Sequence, residues 1–268
     1  MHYFGLCDGI RKLNLPDIEY LDIYESEFSK FYDNLVINDD YDIEYLNKVL
    51  NNTKEPVLEL ACGSGRVMIP LLEKGYFVSG VDVSEDMLEI LRKKSIKKNI
   101  SANLYKDDMC SFHADFKYAY VILSHISICL LEPEQQKELF MNISKNLLKD
   151  NGKFIFNFTE FSDKLVESRE LEPNYYFNMR TKSFIVFSEK VDLDADKVYI
   201  NMYMEQIENN NTKRYIGTSC KNIIKKEVLE NHIRTAGLRI SDEKSFFLPE
   251  GMVTYLIVEK EKNKCNND

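Results

Sequence analysis

Apolar and polar positions follow a regular alternation from Pro56 onward, where short apolar runs are separated by amphipathic segments. This arrangement is typical of β-α-β units and a mainly parallel sheet. It predicts strands at 56–61, 76–82, 102–106, 118–124 and 153–159, with helices at about 65–74, 85–98 and 134–148. Residues that begin or end helices stand at the expected places, because Ser84 is a good N-cap, Gly75 follows the first helix and Pro133 opens the third.

The segments on either side of this region have different patterns. In the first fifty residues, apolar positions such as Ile18, Leu21 and Phe28 recur at three- and four-residue steps and predict a helical cover over 1–55. Strict alternation later in the chain predicts an antiparallel insertion of about three strands at 175–220. A helix at 225–236 and strands at 238–244 and 252–260 complete the prediction, so that 56–174 and 221–268 form the core.

The composition is that of a globular protein, with 44% hydrophobic residues, 16 Tyr and 16 Phe. The formal net charge of −9 argues against nucleic acid or an anionic membrane as a partner. The longest apolar stretch, 118–131, is too short to span a bilayer, and we expect a cytoplasmic protein. Cysteine and histidine spacings predict no metal site, and the basic run RKKSIKK at 92–98 is expected to complement a helix dipole.

One stretch, VLELACGSGRVMIPLLEKGYFVSGVDVSEDML at 57–88, carries a candidate ligand site. Gly63 and Gly65 follow an apolar strand, where a glycine-rich turn lets the backbone approach a ligand closely. Asp82 ends the next strand, where a carboxylate can accept hydrogen bonds from ribose hydroxyls. A dinucleotide, as in a dehydrogenase, is the weaker interpretation because Met68 stands where that fingerprint needs a third small residue.

The same stretch resembles a known family. ELACGSGR resembles motif I of class I S-adenosylmethionine (SAM)-dependent methyltransferases, with Ala61 in place of the first glycine, and GVDVSEDML resembles motif II. The resemblance extends to about residue 160 and is strongest for natural-product N-methyltransferases that carry an N-terminal helical cover and an antiparallel insertion. It implies an α/β fold with a Rossmann-like, seven-stranded, mainly parallel sheet.

The resemblance also implies roles for individual positions. Asp82 would hold the ribose hydroxyls, and the end of the fourth strand would face the sulfonium. The implied cofactor-binding residues are Tyr32, Glu59, Ala61, Gly63, Gly65, Arg66, Asp82, Val83, Met87, Asp108, Met109, Leu123 and Ser124. The expected acceptor-binding residues are Phe28, His125, Asn157, Tyr175 and Tyr176, and the catalytic candidates are His125, Tyr32 and Tyr24.

Methyl transfer from a sulfonium is an in-line displacement, so alignment and exclusion of water matter more than a strong base when the acceptor is an amine. We therefore expect an N-methyltransferase for a small molecule or short peptide natural product, which uses SAM, releases S-adenosylhomocysteine (SAH) and acts as a monomer or homodimer. The alternatives are O-methylation with His125 as base, and a non-catalytic SAM-binding module. Less specific interpretations stand beside these: His125 as a core histidine, and DDYD at 39–42 as a solvated helix start.

Overall fold

The computed structural model describes residues 2–36, 40–160, 169–179, 181–208, 211–248 and 251–261. The chain divides into two compact units. The first unit comprises Met1–Tyr32 and Asp163–Ile223, and the second comprises Asp33–Ser162 and Ile224–Asp268.

Helices and strands alternate up to residue 160, and the elements described after that residue are strands except for one helix. The α-helices are α1 (Gly5–Lys12), α2 (Ser26–Val36), α3 (Ile43–Leu50), α4 (Met68–Glu73), α5 (Glu85–Lys97), α6 (Pro133–Asn142) and α7 (Lys226–Thr235). The strands are β1 (Ile18–Asp22), β2 (Val57–Leu60), β3 (Val78–Asp82), β4 (Asn103–Lys106), β5 (Tyr118–Leu123), β6 (Leu148–Glu160), β7 (Arg169–Glu170), β8 (Asn174–Asn178), β9 (Ser183–Asp192), β10 (Lys197–Glu208), β11 (Asn211–Asn222), β12 (Leu238–Leu248) and β13 (Gly251–Lys260).

The second unit is built on a seven-stranded sheet in the order β12-β13-β6-β5-β2-β3-β4. β2, β3, β4, β5 and β6 run parallel, whereas β13 pairs antiparallel with both β6 and β12. This architecture confirms the predicted Rossmann-like α/β fold class. Strand order reverses between β5 and β2, and in open α/β sheets the crevice outside the carboxyl ends of such strands binds ligands. The fold therefore directs attention to the residues that follow β2 and β5.

Both faces of this sheet are covered, which explains the continuous apolar runs in the sequence. Leu58 and Phe156 belong to one buried cluster with α6 and α7, whereas Val57 and Ile155 belong to a second with α3, α4 and α5. The predicted helix at 134–148 is α6, and it continues as a π-helical turn over 143–147. Pro133 stands at its first turn, and Glu132 and Gln135 form a capping box, so this predicted helix start is confirmed.

The first unit contains a six-stranded sheet in the order β1-β11-β10-β9-β7, with β8 also paired to β9. Cys7 and Ile10 of α1 belong to a buried cluster with Val186 and Ile216. Phe28 of α2 is in another cluster, which includes Ile200, Met202 and Tyr215. Successive side chains of a strand point to opposite faces, so the two helices pack on opposite faces of the sheet.

Two predictions about these segments were wrong. Ile18–Asp22 is a strand that pairs parallel with β11 and not part of a helix, because its partner lies almost two hundred residues later in the chain. The insertion contributes β7 to β11, five strands over 169–222, and not about three over 175–220. The structure also groups Met1–Tyr32 with this sheet, whereas the sequence pattern predicted a separate helical cover over 1–55.

Candidate functional site

The chain between β2 and α4 forms a tight bend, which we call the glycine turn (residues 61–66). Ala61, Gly63 and Gly65 have φ values of +49°, +51° and +86°, a region that glycine adopts easily. A Cβ atom placed on Gly65 would lie 2.9 Å from Ile69 and from Leu91, so glycine permits close packing of α4 and α5. A Cβ atom on Gly63 would contact nothing within 4 Å, so this side of the turn faces open space.

Asp82, the last residue of β3, is hydrogen-bonded to the glycine turn. Its carboxylate accepts the N–H of Gly63 at 2.7 Å and the N–H of Ser84 at 2.9 Å. Burial raises the pKa of Asp82 despite these donors. A carboxylate offers about four acceptor positions, so Asp82 retains capacity for ligand hydroxyls. Immediately after it, Val83 is 63% exposed and presents an apolar surface, while Met87 is buried in the first turn of α5.

The residues after β4 are joined to the same edge of the sheet. Asp107 N–H donates to the carbonyl of Asp82 at 3.1 Å. The carboxylate of the exposed Asp108 accepts the N–H of Cys110 at 2.8 Å, which forms a local turn. Met109 is partly buried against the core. The structure therefore brings the turn that contains Asp108 and Met109 to the edge that carries Asp82.

Glu59 lies inside β2 with a buried side chain that has 2% exposure. Its Oε2 atom is buried without a hydrogen-bond partner in the described chain. Burial raises the pKa of Glu59 to about 8, although the nearby Arg66 lowers it. A buried acceptor without a donor is unusual. Such an oxygen could accept a hydrogen bond from a ligand or contact a cationic ligand group.

Arg66 is part of a buried polar cluster that the sequence did not reveal. Its guanidinium donates to both oxygens of Asp42, at 2.7 and 2.9 Å, and both side chains are nearly fully buried. The hydroxyl of Tyr255 also donates to Asp42, and the guanidinium lies 5.8 Å from the ring centre of Tyr41. A weak contact of 3.5 Å joins Arg66 to Ser124.

This cluster corrects one interpretation of the DDYD run. Asp42 has 0% exposure and does not belong to a solvated helix start, because it neutralises Arg66 inside the unit. Asp39 lies outside the described residues. In the sequence, only Arg66 pointed to such a pair, because a guanidinium directly after a buried turn needs a counter-ion. The sequence did not show which carboxylate supplies it.

The carboxyl end of β5 has a strained backbone. Leu123 and Ser124 are buried, and His125 and Ile126 follow with φ values of +55° and +61°. Left-handed conformations are uncommon for histidine and rarer for a β-branched residue, and they concentrate at functional sites. The amide oxygen of Asn157 accepts the N–H of Ile126 at 2.8 Å and so helps to hold this turn. Asn157 is fully buried, and its hydrogen bond to Ile126 fixes the backbone directly after His125.

The other acceptor candidates lie in the first unit. Tyr24 and Tyr32 form an edge-to-face pair with ring centres 5.1 Å apart, and Tyr176 contacts Phe31 in the same way. Tyr175 is exposed. Phe28 is fully buried against Gly217 and Tyr215, which is the position of a core residue, so its role as a substrate contact is the weakest of these predictions.

The residues of the second unit can be tested for their fit to SAM. The ligand carries a ribose, an ammonium group and a sulfonium, and it lacks phosphate. Asp82 retains acceptor capacity for hydroxyls, Gly63 leaves open space beside the backbone, and Glu59 keeps an unpartnered oxygen that suits a cation. These features fit SAM. The carboxylate of Asp82 would repel a pyrophosphate, and the cations described near the turn, Arg66 and Lys94, are already paired with Asp42 and Asp33.

Comparison with known proteins agrees with this fit. The family model described as a methyltransferase domain matches residues 57–152. An uncharacterized methyltransferase from Geobacillus sp. (strain WCH70) is 32% identical over 165 residues, which cover 58% of this chain and 74% of the relative. The chain belongs to the methyltransferase family, and its cofactor is SAM.

Solved structures with low sequence identity share the fold. A SAM-dependent methyltransferase from Clostridium acetobutylicum ATCC 824 superposes with a TM-score of 0.69 at 22% identity, over 88% of this chain and 98% of that one. A sugar N-methyltransferase from Streptoalloteichus sp ATCC 53650 gives a TM-score of 0.70 at 13% identity, over 88% and 94% of the two chains. Within the described residues, no helix has the length and apolar character needed to cross a membrane.

Proposed function

We propose that this methyltransferase transfers a methyl group to an amine nitrogen of a small molecule or short peptide. The observation that carries the proposal is that Asp42 and Arg66 neutralise each other, while Glu59 keeps a buried oxygen without a partner in the described chain and Asp82 keeps unfilled acceptor positions. Buried acceptor positions that no protein donor fills favour ligands that donate hydrogen bonds, and amines are such ligands. The fold shared with a glycopeptide N-methyltransferase and a sugar N-methyltransferase supports the same acceptor class.

Cofactor binding is assigned to residues around the glycine turn. Asp82 accepts hydrogen bonds from the ribose hydroxyls, Val83 and Met87 contact the adenine, and Asp108 with Met109 lies beside its amine. Glu59 receives the ammonium group with its unpartnered oxygen. Tyr32, Ala61, Gly63, Gly65, Arg66, Leu123 and Ser124 complete the proposed set.

The chemistry requires alignment more than acid–base catalysis. When bound, SAM supplies an electrophilic methyl group on a positively charged sulfur. The protein holds the acceptor nitrogen in line with that methyl group and keeps water out. The nitrogen lone pair forms the new N–C bond while the C–S bond breaks and its electrons return to sulfur, which gives SAH. His125 follows β5 in a left-handed turn, and we assign its imidazole as the group that accepts the proton that the nitrogen loses.

The second candidate function is O-methylation of a hydroxyl or carboxylate. The left-handed backbone at His125 favours O-methylation. This turn is held by the hydrogen bond between Asn157 and Ile126, and such a fixed backbone is consistent with a precisely placed base. An oxygen acceptor depends on such a base far more than a neutral amine does.

Labelled methyl transfer separates these functions. The wild type and a His125→Ala variant are incubated with methyl-labelled SAM and matched libraries of primary amines and alcohols. We expect labelled amine products from both proteins, with the rate of the variant reduced by less than about tenfold because the base is not essential. Labelled alcohol products that disappear in the variant would support O-methylation instead, and labelling of neither library by either protein would contradict both.

A further inference from the structure

Lys94 makes contacts that the basic run at 92–98 did not predict. Its ammonium group donates to the carbonyl oxygen of Ser64 at 3.1 Å and also to the carboxylate of Asp33. The side chains of Lys94 and Asp33 are 26% and 13% exposed, so water and salt screen this pair less than a surface ion pair. Lys94 lies in the last turn of α5, as expected for a lysine that complements the helix dipole, and it also contacts the glycine turn.

The neighbouring lysines behave differently. Lys93 is 72% exposed and pairs with Glu89 on its own helix at 3.2 Å. Lys98 contacts Glu73 at the surface. The position of Lys94 follows from helix geometry, because it lies three residues after Leu91, whose side chain packs where a Cβ atom on Gly65 would be. One face of α5 therefore meets both Ser64 and Gly65.

The contact to Ser64 fixes one particular peptide group. The carbonyl of the Ser64–Gly65 peptide accepts from Lys94, and its N–H donates to the carbonyl of Cys62 at 3.0 Å. Ser64 is buried, with 4% exposure. Because the peptide unit is planar, anchoring its carbonyl and N–H at the same time fixes its orientation. The orientation of this peptide determines the positions of Gly63 and Gly65, which the family resemblance implies to line the methionine part of SAM.

We propose that Lys94 is a positioning residue for cofactor binding: its ammonium group, held by Asp33, fixes the Ser64–Gly65 peptide in the orientation that receives the methionyl part of SAM. Asp33 neutralises the lysine and ties the carboxyl-terminal half of α2 to the same point. This inference rests on the glycine turn being the cofactor site.

The test is calorimetric titration of SAM into the full chain. Lys94→Met keeps the aliphatic length and removes the charge, and we expect it to weaken SAM binding about tenfold, which is the loss typical of one charge-assisted hydrogen bond. Lys93→Met on the same helix is the matched control and should bind SAM as the wild type does. Lys94→Arg should recover part of the affinity, because a guanidinium can also donate to the Ser64 carbonyl.

A double-mutant cycle with Asp33→Asn distinguishes positioning from general destabilisation. If the ion pair orients the turn, Asp33→Asn weakens SAM binding on its own and adds little to Lys94→Met. Thermal melts of every variant show whether the proteins are folded at the titration temperature. If Lys94→Met fails to fold, the affinity of Asp33→Asn for SAM tests the proposal alone.

Three outcomes have distinct meanings. Wild-type affinity for SAM in Lys94→Met, or in Asp33→Asn where Lys94→Met does not fold, would overturn the role of Lys94. Equal losses in Lys94→Met and Lys93→Met would also overturn it, since they would indicate a general effect of charge. No SAM binding by the wild type would contradict the cofactor site itself, and that result is visible in the same experiment before any variant is measured.

Discussion

At the residue scale, Glu59 makes the stability of the protein depend on pH. Its folded pKa of about 8 lies above the ordinary value of 4.5 because burial disfavours the carboxylate. The folded state therefore binds the proton more tightly than the unfolded state does. The resulting stabilisation is complete below the ordinary pKa and is lost as pH rises through about 8.

We expect a Glu59→Gln variant to remove this dependence. Between pH 5 and pH 9 the wild type should lose on the order of a few kcal/mol of unfolding free energy relative to the variant, measured by urea denaturation without SAM. Carboxyl groups far from Glu59 contribute equally to both proteins and cancel in the difference, whereas Asp42 and Asp82 interact with Glu59 and remain part of it. Parallel pH profiles for the two proteins would show that Glu59 is not buried in a protonated form.

The Asp42–Arg66 pair yields a second prediction at this scale. Asp42→Ala would leave the guanidinium buried without its counter-ion, and we expect a loss of about 3–5 kcal/mol of unfolding free energy. Glu44→Ala, an exposed acidic residue on α3, should stay within about 0.5 kcal/mol of the wild type. Urea denaturation measures both. An Asp42→Ala variant as stable as Glu44→Ala would mean that the pair does not form.

These residues also show what the sequence could predict about the site. Gly63, Gly65 and Asp82 were predicted from their spacing, because strand, turn and strand end are local features that the pattern records. Asp42 was not predicted as a site residue, because its partner Arg66 lies 24 residues away and its burial depends on how α3 packs. The contact of Lys94 with Ser64 was not predicted for a similar reason, since a basic run at the end of a helix has the same sequence whether it faces solvent or a neighbouring turn.

At the element scale, Gly217 determines how closely α2 packs on the sheet of the first unit. A Cβ atom at this position would lie 2.8 Å from the ring of Phe28, which is fully buried. We expect Gly217→Ala to destabilise the protein by about 1–3 kcal/mol, because overpacking forces the ring or the strand to move. Thermal and urea denaturation measure the change, and adding Phe28→Leu should recover part of it.

Gly9 supplies a contrast from the same unit. It lies in α1 with nothing within 4 Å of an added Cβ atom. Gly9→Ala should stabilise the protein by about 0.5–1 kcal/mol through helix propensity alone. Stabilisation by both alanine substitutions would mean that the packing of Phe28 on Gly217 is wrong, and destabilisation by both would contradict the prediction for Gly9.

Elements differed in how well the pattern predicted them. β2, β3 and β5 were found within about two residues of their ends because parallel strands buried on both faces produce compact apolar runs. β1 was mistaken for helix, since Ile18 and Leu21 also fit a helical step and the strand exists only through its pairing with β11. The number of strands in the insertion was underestimated for the same reason: short strands such as β7 and β8 are defined by their partner β9.

At the scale of the whole molecule, SAM and a dinucleotide should affect stability differently. A ligand that binds only the folded state stabilises it by about 2.7 kcal/mol at a hundredfold excess over Kd. For a chain of this size that corresponds to a rise in Tm of roughly 5–10 °C. We expect this rise with SAM and no comparable rise with NAD, because the cations described beside the glycine turn, Arg66 and Lys94, are already paired with Asp42 and Asp33. In Asp82→Ala the shift with SAM should be lost, since the ribose hydroxyls lose their acceptor. A larger shift with NAD than with SAM in the wild type would reverse the choice of cofactor, and a full SAM shift in Asp82→Ala would remove Asp82 from the site.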